Sequence, residues 1–179
     1  PLKSPFLVMA TQNPIESQGT YPLPEAQLDR FLFKLVVDYP HRDDELVILQ
    51  RMSGFSHRGP EALTPLLSGE ALGRIQQQAA AVYLDPKLMQ YIVEVVQATR
   101  TADQTLLQYG ASPRASLALT ASSQALALLR GRTYVTPEDI NSLVHDCLRH
   151  RIILSYEALA SGQKPDHILD DLLSRLPAP

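Results

Sequence analysis

The hydrophobic pattern of the chain changes near residue 40, from short unbroken apolar runs to stripes with helical spacing. In the first part, Phe6-Leu7-Val8-Met9-Ala10 is continuously apolar between polar flanks. That predicts a strand buried on both faces of a parallel sheet, where no solvent face demands alternation. Pro14 disfavours helical geometry at Asn13, so the strand closes there and the Asn amide is presented at its carboxyl end, the edge where open α/β sheets take ligands. Residues 15–23 hold Gly19, Pro22 and a run of polar positions and read as a loop. Pro24 at a first helical position, with Glu25 behind it, starts a short helix through Arg30. Phe31-Leu32-Phe33-Lys34-Leu35-Val36-Val37 then reads as a second strand. Arg30 falls at the junction of the two.

After Tyr39-Pro40 the texture is helical. Residues 43–52 carry Leu46, Val47, Ile48 and Leu49 among acids, and 53–60 read as a loop. From Ser68 onward the pattern predicts helices only. The first spans 69–81, and the next starts at Asp85-Pro86 with Leu88, Ile92, Val95 and Val96 on one stripe and ends near Arg100. A polar loop covers 101–111. Ser112 as cap and Pro113 at the first position open the longest helix, which runs to Leu129 and is closed by Gly131. Thr136-Pro137-Glu138-Asp139 repeats the start signal for a helix through His150, and 165–176 gives the last. No internal repeat, low-complexity tract or heptad run is present. The expected organisation is mainly α with a small α/β remnant: a sheet remnant at 1–39, a connection at 40–67 and a helical domain at 68–179.

With 45% hydrophobic residues in 179, the chain can bury a sizeable core. A net charge of −3 and a pI near 5.9 give no basic footprint for nucleic acid and point to protein or small-molecule partners. The single cysteine, Cys147, cannot form an internal disulfide, and no charged-then-apolar leader opens the chain; a reducing cytoplasm is the expected setting. No apolar stretch reaches the ~20 residues of a membrane span. His145, Cys147 and His150 have metal-ligating side chains, but residues two or five apart on a helix do not share a face, so no metal site is expected. The Ala- and Leu-rich stretch 115–129 has no lysine or arginine before Arg130, which favours close helix packing over a membrane-surface role.

Three polar residues remain as candidates for chemistry: Asn13, Arg30 and Arg114. Arg114 falls at about the second position of its helix, where the macrodipole disfavours a cation unless an anion docks there. Their setting carries a resemblance. Val8-Met9-Ala10-Thr11-Gln12-Asn13-Pro14-Ile15-Glu16 and then Gly19-Thr20-Tyr21-Pro22-Leu23-Pro24-Glu25-Ala26-Gln27-Leu28-Asp29-Arg30-Phe31 closely resemble the AAA+ ATPases of the MoxR family. The likeness continues through 91–100, Gly110-Ala111-Ser112-Pro113-Arg114, 134–140 and His150-Arg151. It implies the C-terminal edge of an AAA+ P-loop core followed by a helical lid. It also implies that Asn13 is sensor 1, Arg30 an arginine finger acting across a subunit interface, and Arg114 sensor 2. Those residue types suit phosphoryl transfer, in which an amide orients water and a guanidinium neutralises charge on the transferred group.

The chain departs from a complete family member in one respect. It has no Gly-x-x-x-x-Gly-Lys-Ser/Thr loop, and Glu16 and Glu25 do not replace the acids that would hold Mg²⁺. The expectation is a C-terminal part of a longer protein, unable alone to hydrolyse ATP or to bind it tightly. For the full-length protein the resemblance implies ATP and Mg²⁺, a homo-oligomeric ring such as a hexamer, and remodelling or maturation of protein clients, among them proteins with von Willebrand factor A domains. Two alternatives stand beside it. One is a non-catalytic helical adaptor or scaffold. The other is a ring helicase of the MCM type, which shares Leu-Asp-Arg-Phe and Ser-Pro-Arg; the acidic pI and the lack of basic, aromatic-interleaved segments weigh against it.

Overall fold

The computed structural model describes residues 5–12, 23–53 and 64–179. The helices follow in order as α1 Glu25–Leu28, α2 Arg42–Ser53, α3 Gly69–Ala80, α4 Pro86–Thr101, α5 Pro113–Leu129, α6 Pro137–Leu148, α7 Tyr156–Ala160 and α8 Pro165–Arg175. Their starts follow the chemistry of their caps. Ser68, Asp85, Ser112 and Ser155 each accept a backbone N–H in the first turn of α3, α4, α5 and α7, and proline occupies the first turn of α4, α5, α6 and α8. Gly131 adopts φ 71° just beyond α5, the left-handed geometry that closes a helix most cheaply with glycine.

The core lies among α4, α5, α6 and α8. Leu88, Ile92, Val95 and Val96 form the buried stripe of α4. α5 turns small residues inward, with Ala115, Ala118, Ser122, Ser123 and Ala127 buried beside Leu119, which lets its neighbours approach closely. α6 adds Ile140, Val144, Cys147 and Leu148, and α8 adds Ile168 and Leu169. Buried Asp139 locks the start of α6: its carboxylate accepts from the Thr136 N–H at 2.9 Å and from Arg130 at 2.7 Å, and Arg132 also pairs with it.

The mainly helical architecture is the expected one, but its strands lie elsewhere. The only sheet among the described residues pairs β1 Leu107–Tyr109 with β2 Ile153–Leu154, antiparallel, with Leu107 opposite Leu154. β1 falls in the expected loop at 101–111, and β2 and α7 fall between the last two expected helices, where no element was assigned. The runs at 6–10 and 31–37 form no strand. Phe6 to Met9 are 61–82% exposed, and a strand without a ladder partner among the described residues has nothing to pair its backbone groups. In the second run the backbone is claimed by side chains of the helical domain instead, as described next. The loop predicted at 53–60 begins one residue late, since Ser53 ends α2; its remainder lies outside the described residues. Among the described residues no helix is long and apolar enough to cross a membrane.

Candidate functional site

The site is built where the turn after α1 meets the start of α5. Ser112 caps α5: its Oγ accepts from the Arg114 N–H at 3.2 Å and lies 2.9 and 3.0 Å from the two carboxylate oxygens of Asp29, to which it donates. Pro113 fills the first helical position and places Arg114 at the second. There a cation opposes the helix dipole, but Arg114 Nη1 donates to Asp29 Oδ2 at 3.2 Å, so one carboxylate answers both the guanidinium and the positive helix end. The Arg114 side chain is 53% exposed and retains donors facing solvent.

Asp29 has a second cationic partner. α6 ends at Leu148, and two residues past its cap Arg149 the Arg151 side chain turns inward, 3% exposed. Its Nε donates to Asp29 Oδ1 at 3.2 Å, Nη1 to Leu32 O at 3.2 Å and to Cys147 O, and Nη2 to Phe31 O at 2.7 Å and to Asp29 O at 3.3 Å. Burial pushes the Asp29 carboxyl up, but the hydrogen bonds from Ser112 and Arg114 and the charge of Arg151 outweigh it and hold the group below its ordinary range. Neighbouring side chains extend the grip. His150 Nε2 lies 3.0 Å from Phe31 O while its Nδ1 is buried with no partner among the described residues, and burial lowers its pKa. Arg149 donates to Lys34 O at 2.7 Å, and the Lys34 N–H donates to Asp146 O at 2.9 Å. Three consecutive residues, Arg149, His150 and Arg151, thus hold the backbone of 31–34.

A cleft of about 300 Å³ opens over this network, lined by Asp29, Arg30, Leu32, Arg114, Leu117, Ala118 and Arg151. The structure therefore brings Arg30 and Arg114 together, although 84 residues of chain separate them. Arg30 is exposed, and its side chain makes no hydrogen bond or ion pair among the described residues. Asn13 and Glu16 lie outside the described residues; Glu25 is exposed on α1. His145, Cys147 and His150 go to separate partners: Asp170, a buried position near Ser122, and Phe31 O. Burial raises the Cys147 thiol to about 11, which leaves it a packed core group and not an active thiolate.

Sequence reasoning took Ser112 only as a helix cap and assigned no site role to Asp29 or Arg151. A signal for Arg151 was available: a charged side chain directly preceding the apolar Ile152-Ile153-Leu154, too far into an apolar stretch to reach water easily. In the cleft the guanidinium groups of Arg30 and Arg114 are open to solvent, while that of Arg151 is spent on Asp29 and on backbone carbonyls; two open guanidinium groups on one concavity fit phosphate oxygens. The cleft does not fit Mg²⁺. Asp29 is already engaged by Ser112, Arg114 and Arg151, and no group of three or more potential ligands occurs among the described residues.

Comparison with known proteins places the two parts of the chain in one class. Residues 99–172 match the AAA lid domain family, and residues 1–33 match the ATPase family associated with various cellular activities (AAA). The fold is that of an AAA ATPase segment. More narrowly, the chain belongs to the MoxR family. It is 46% identical to "Chaperone MoxR1" of Mycobacterium tuberculosis, covering 100% of this chain and 48% of that protein. It is 45% identical to "Uncharacterized protein YeaC" of Bacillus subtilis, covering 99% of this chain and 54% of the relative, and 30% identical to "Protein MoxR" of Paracoccus denitrificans, covering 96% and 56%. The crystal structure of a "putative ATPase" from Cytophaga hutchinsonii superimposes with a TM-score of 0.91 at 39% identity, covering 100% of this chain and 56% of that one. The chain spans about half the length of the relatives it matches.

Proposed function

We propose that this chain supplies the phosphate-sensing residues of a ring-forming MoxR-type ATPase that remodels or matures protein clients. Arg30 serves as the arginine finger, Arg114 as sensor 2 and Asn13 as sensor 1, with residues 1–39 the end of the ATPase core, 40–67 the connection and 68–179 the lid. The observation that carries this reading is the shared cleft: Arg30 and Arg114 line one concavity whose charge suits phosphate. Two arginines on one cleft reach one nucleotide, so a finger acting on a neighbouring subunit's ATP takes sensor 2 with it. Positioning and charge neutralisation are what such a reaction asks of a protein.

In the full-length protein, Arg30→Ala should lower turnover roughly 10³-fold with ATP affinity changed less than about threefold. Turnover within a factor of two of wild type would remove Arg30 from the chemistry. One observation favours the scaffold reading instead: Arg114 already has a structural partner in Asp29. Arg114→Gln decides between them. A scaffold role leaves turnover unchanged, whereas a sensor role lowers it at unchanged melting temperature.

A further inference from the structure

Arg30 is placed by residues that are not its own neighbours in sequence. Its backbone lies between Asp29 and Phe31, and the carbonyls of Asp29, Phe31 and Leu32 all accept from the guanidinium of Arg151. The same guanidinium reaches the Asp29 carboxylate, which also takes Ser112 and Arg114. The Arg151 side chain is 3% exposed and the Arg30 side chain is open to the cleft. A buried cation is an expensive way to fill a core, since an apolar residue of similar volume commonly stabilises as well or better. Its planar fork of five donors does what an apolar residue or a lysine cannot, fixing several backbone oxygens in one geometry.

We propose that Arg151 is a positioning residue for Arg30: a lid-borne guanidinium that holds the backbone on both sides of the finger and, through Asp29, ties its placement to Ser112 and Arg114. The proposal rests on the reading of Arg30 as the finger. Its consequence is that the aim of the finger depends on where the lid sits. A lid displaced relative to α1 breaks the contacts that aim Arg30, so finger placement reports lid position without any separate relay.

The test uses the full-length protein with Arg151→Lys and Asp29→Asn, each alone and in combination, Arg151→Lys with Arg30→Ala and Asp29→Asn with Arg30→Ala and Arg114→Gln. Four quantities are read: kcat, KM for ATP, melting temperature, and amide exchange over residues 29–34. Arg151→Lys should lower kcat about tenfold or more with KM within about twofold, and should speed exchange at 29–34 while α4 and α5 keep their protection. In the Arg30→Ala background the same substitution should change kcat less than about twofold, because a residue acting through Arg30 has nothing left to position. If Arg151→Lys does not fold, Asp29→Asn, which keeps the shape and removes the charge, should lower kcat and speed exchange at 29–34 in the same way; because Asp29 also pairs with Arg114, its combination is read in an Arg30→Ala, Arg114→Gln background. Multiplying losses in the combined variant, or an unchanged kcat in folded Arg151→Lys or Asp29→Asn, overturns the proposal while leaving the finger reading intact. Full turnover in Arg30→Ala alone overturns the finger reading and this proposal with it.

Discussion

Replacing Asp139 by alanine tests whether the start of α6 is held as described. The Asp139 side chain is fully buried, and its oxygens accept from the Thr136 N–H at 2.9 Å, the Thr136 hydroxyl at 3.1 Å and Arg130 at 2.7 Å, with Arg132 paired to the same carboxylate. Loss of a capping interaction alone costs about 0.5–2 kcal/mol. Breaking a fully buried ion pair costs about 3–5 kcal/mol, but the Arg130 and Arg132 side chains are 47% and 23% exposed and can turn to water once freed, which reduces that figure. The expected loss for Asp139→Ala is therefore about 2–4 kcal/mol. For a domain of this size that lowers the melting temperature by roughly 5–12 °C. Asp139→Asn keeps the shape and should lose about half as much. Urea unfolding of the 179-residue chain, followed by far-ultraviolet circular dichroism, measures both. A loss below about 1 kcal/mol in Asp139→Ala, with the slope of unfolding unchanged, would refute the view that this carboxylate anchors α6.

Gly110→Ala should be strongly destabilising, because its Cβ would fall 2.5 Å from Thr99 O and 2.6 Å from Arg100 N, both backbone atoms at the end of α4; a urea midpoint within error of wild type would contradict that packing. Arg114→Gln should change stability by no more than about 1 kcal/mol, as expected for a half-exposed ion pair, and a melting curve is sufficient to check it. Stability should fall on acidification in two stages. The lowered pKa of buried His150 makes the unfolded chain the better proton acceptor as pH drops through about 6.5, and the lowered values of Asp29 and Asp139 do the same below about pH 4. Urea midpoints that rise between pH 7 and pH 5 would contradict the first stage.

The helical domain was legible because its boundaries are written in local chemistry. Ser112-Pro113 and Gly131 bracket α5 at the predicted ends, and the stripe of Leu88, Ile92, Val95 and Val96 is buried as the spacing required. β1 and β2 were not legible, since two- and three-residue strands carry no periodicity and owe their form to a partner some 45 residues away. The runs at 6–10 and 31–37 failed for the complementary reason: apolar continuity reports a demand for burial, not the presence of a partner strand. In the candidate site, local position marked Arg114 as unusual, and motif resemblance marked Arg30. The sequence around Arg151 marks a charge beside an apolar stretch, but its pairing with Asp29 became visible only in three dimensions, because the contact spans 122 residues of chain.

The central claim is that Arg30 and Arg114 line one cleft and serve one nucleotide, held by a neighbouring subunit. A mixing experiment tests it most directly. One full-length subunit carries Arg30→Ala and Arg114→Ala together, and the other carries a substitution of its own phosphate-binding lysine; each should be inactive alone. In mixed rings verified by native mass spectrometry, every interface that joins an intact nucleotide pocket to an intact arginine pair is complete, so the shared-cleft reading predicts that ATP turnover returns. Verified mixed rings that stay inactive would contradict it, since at least one of the two arginines would then have to serve its own subunit's nucleotide.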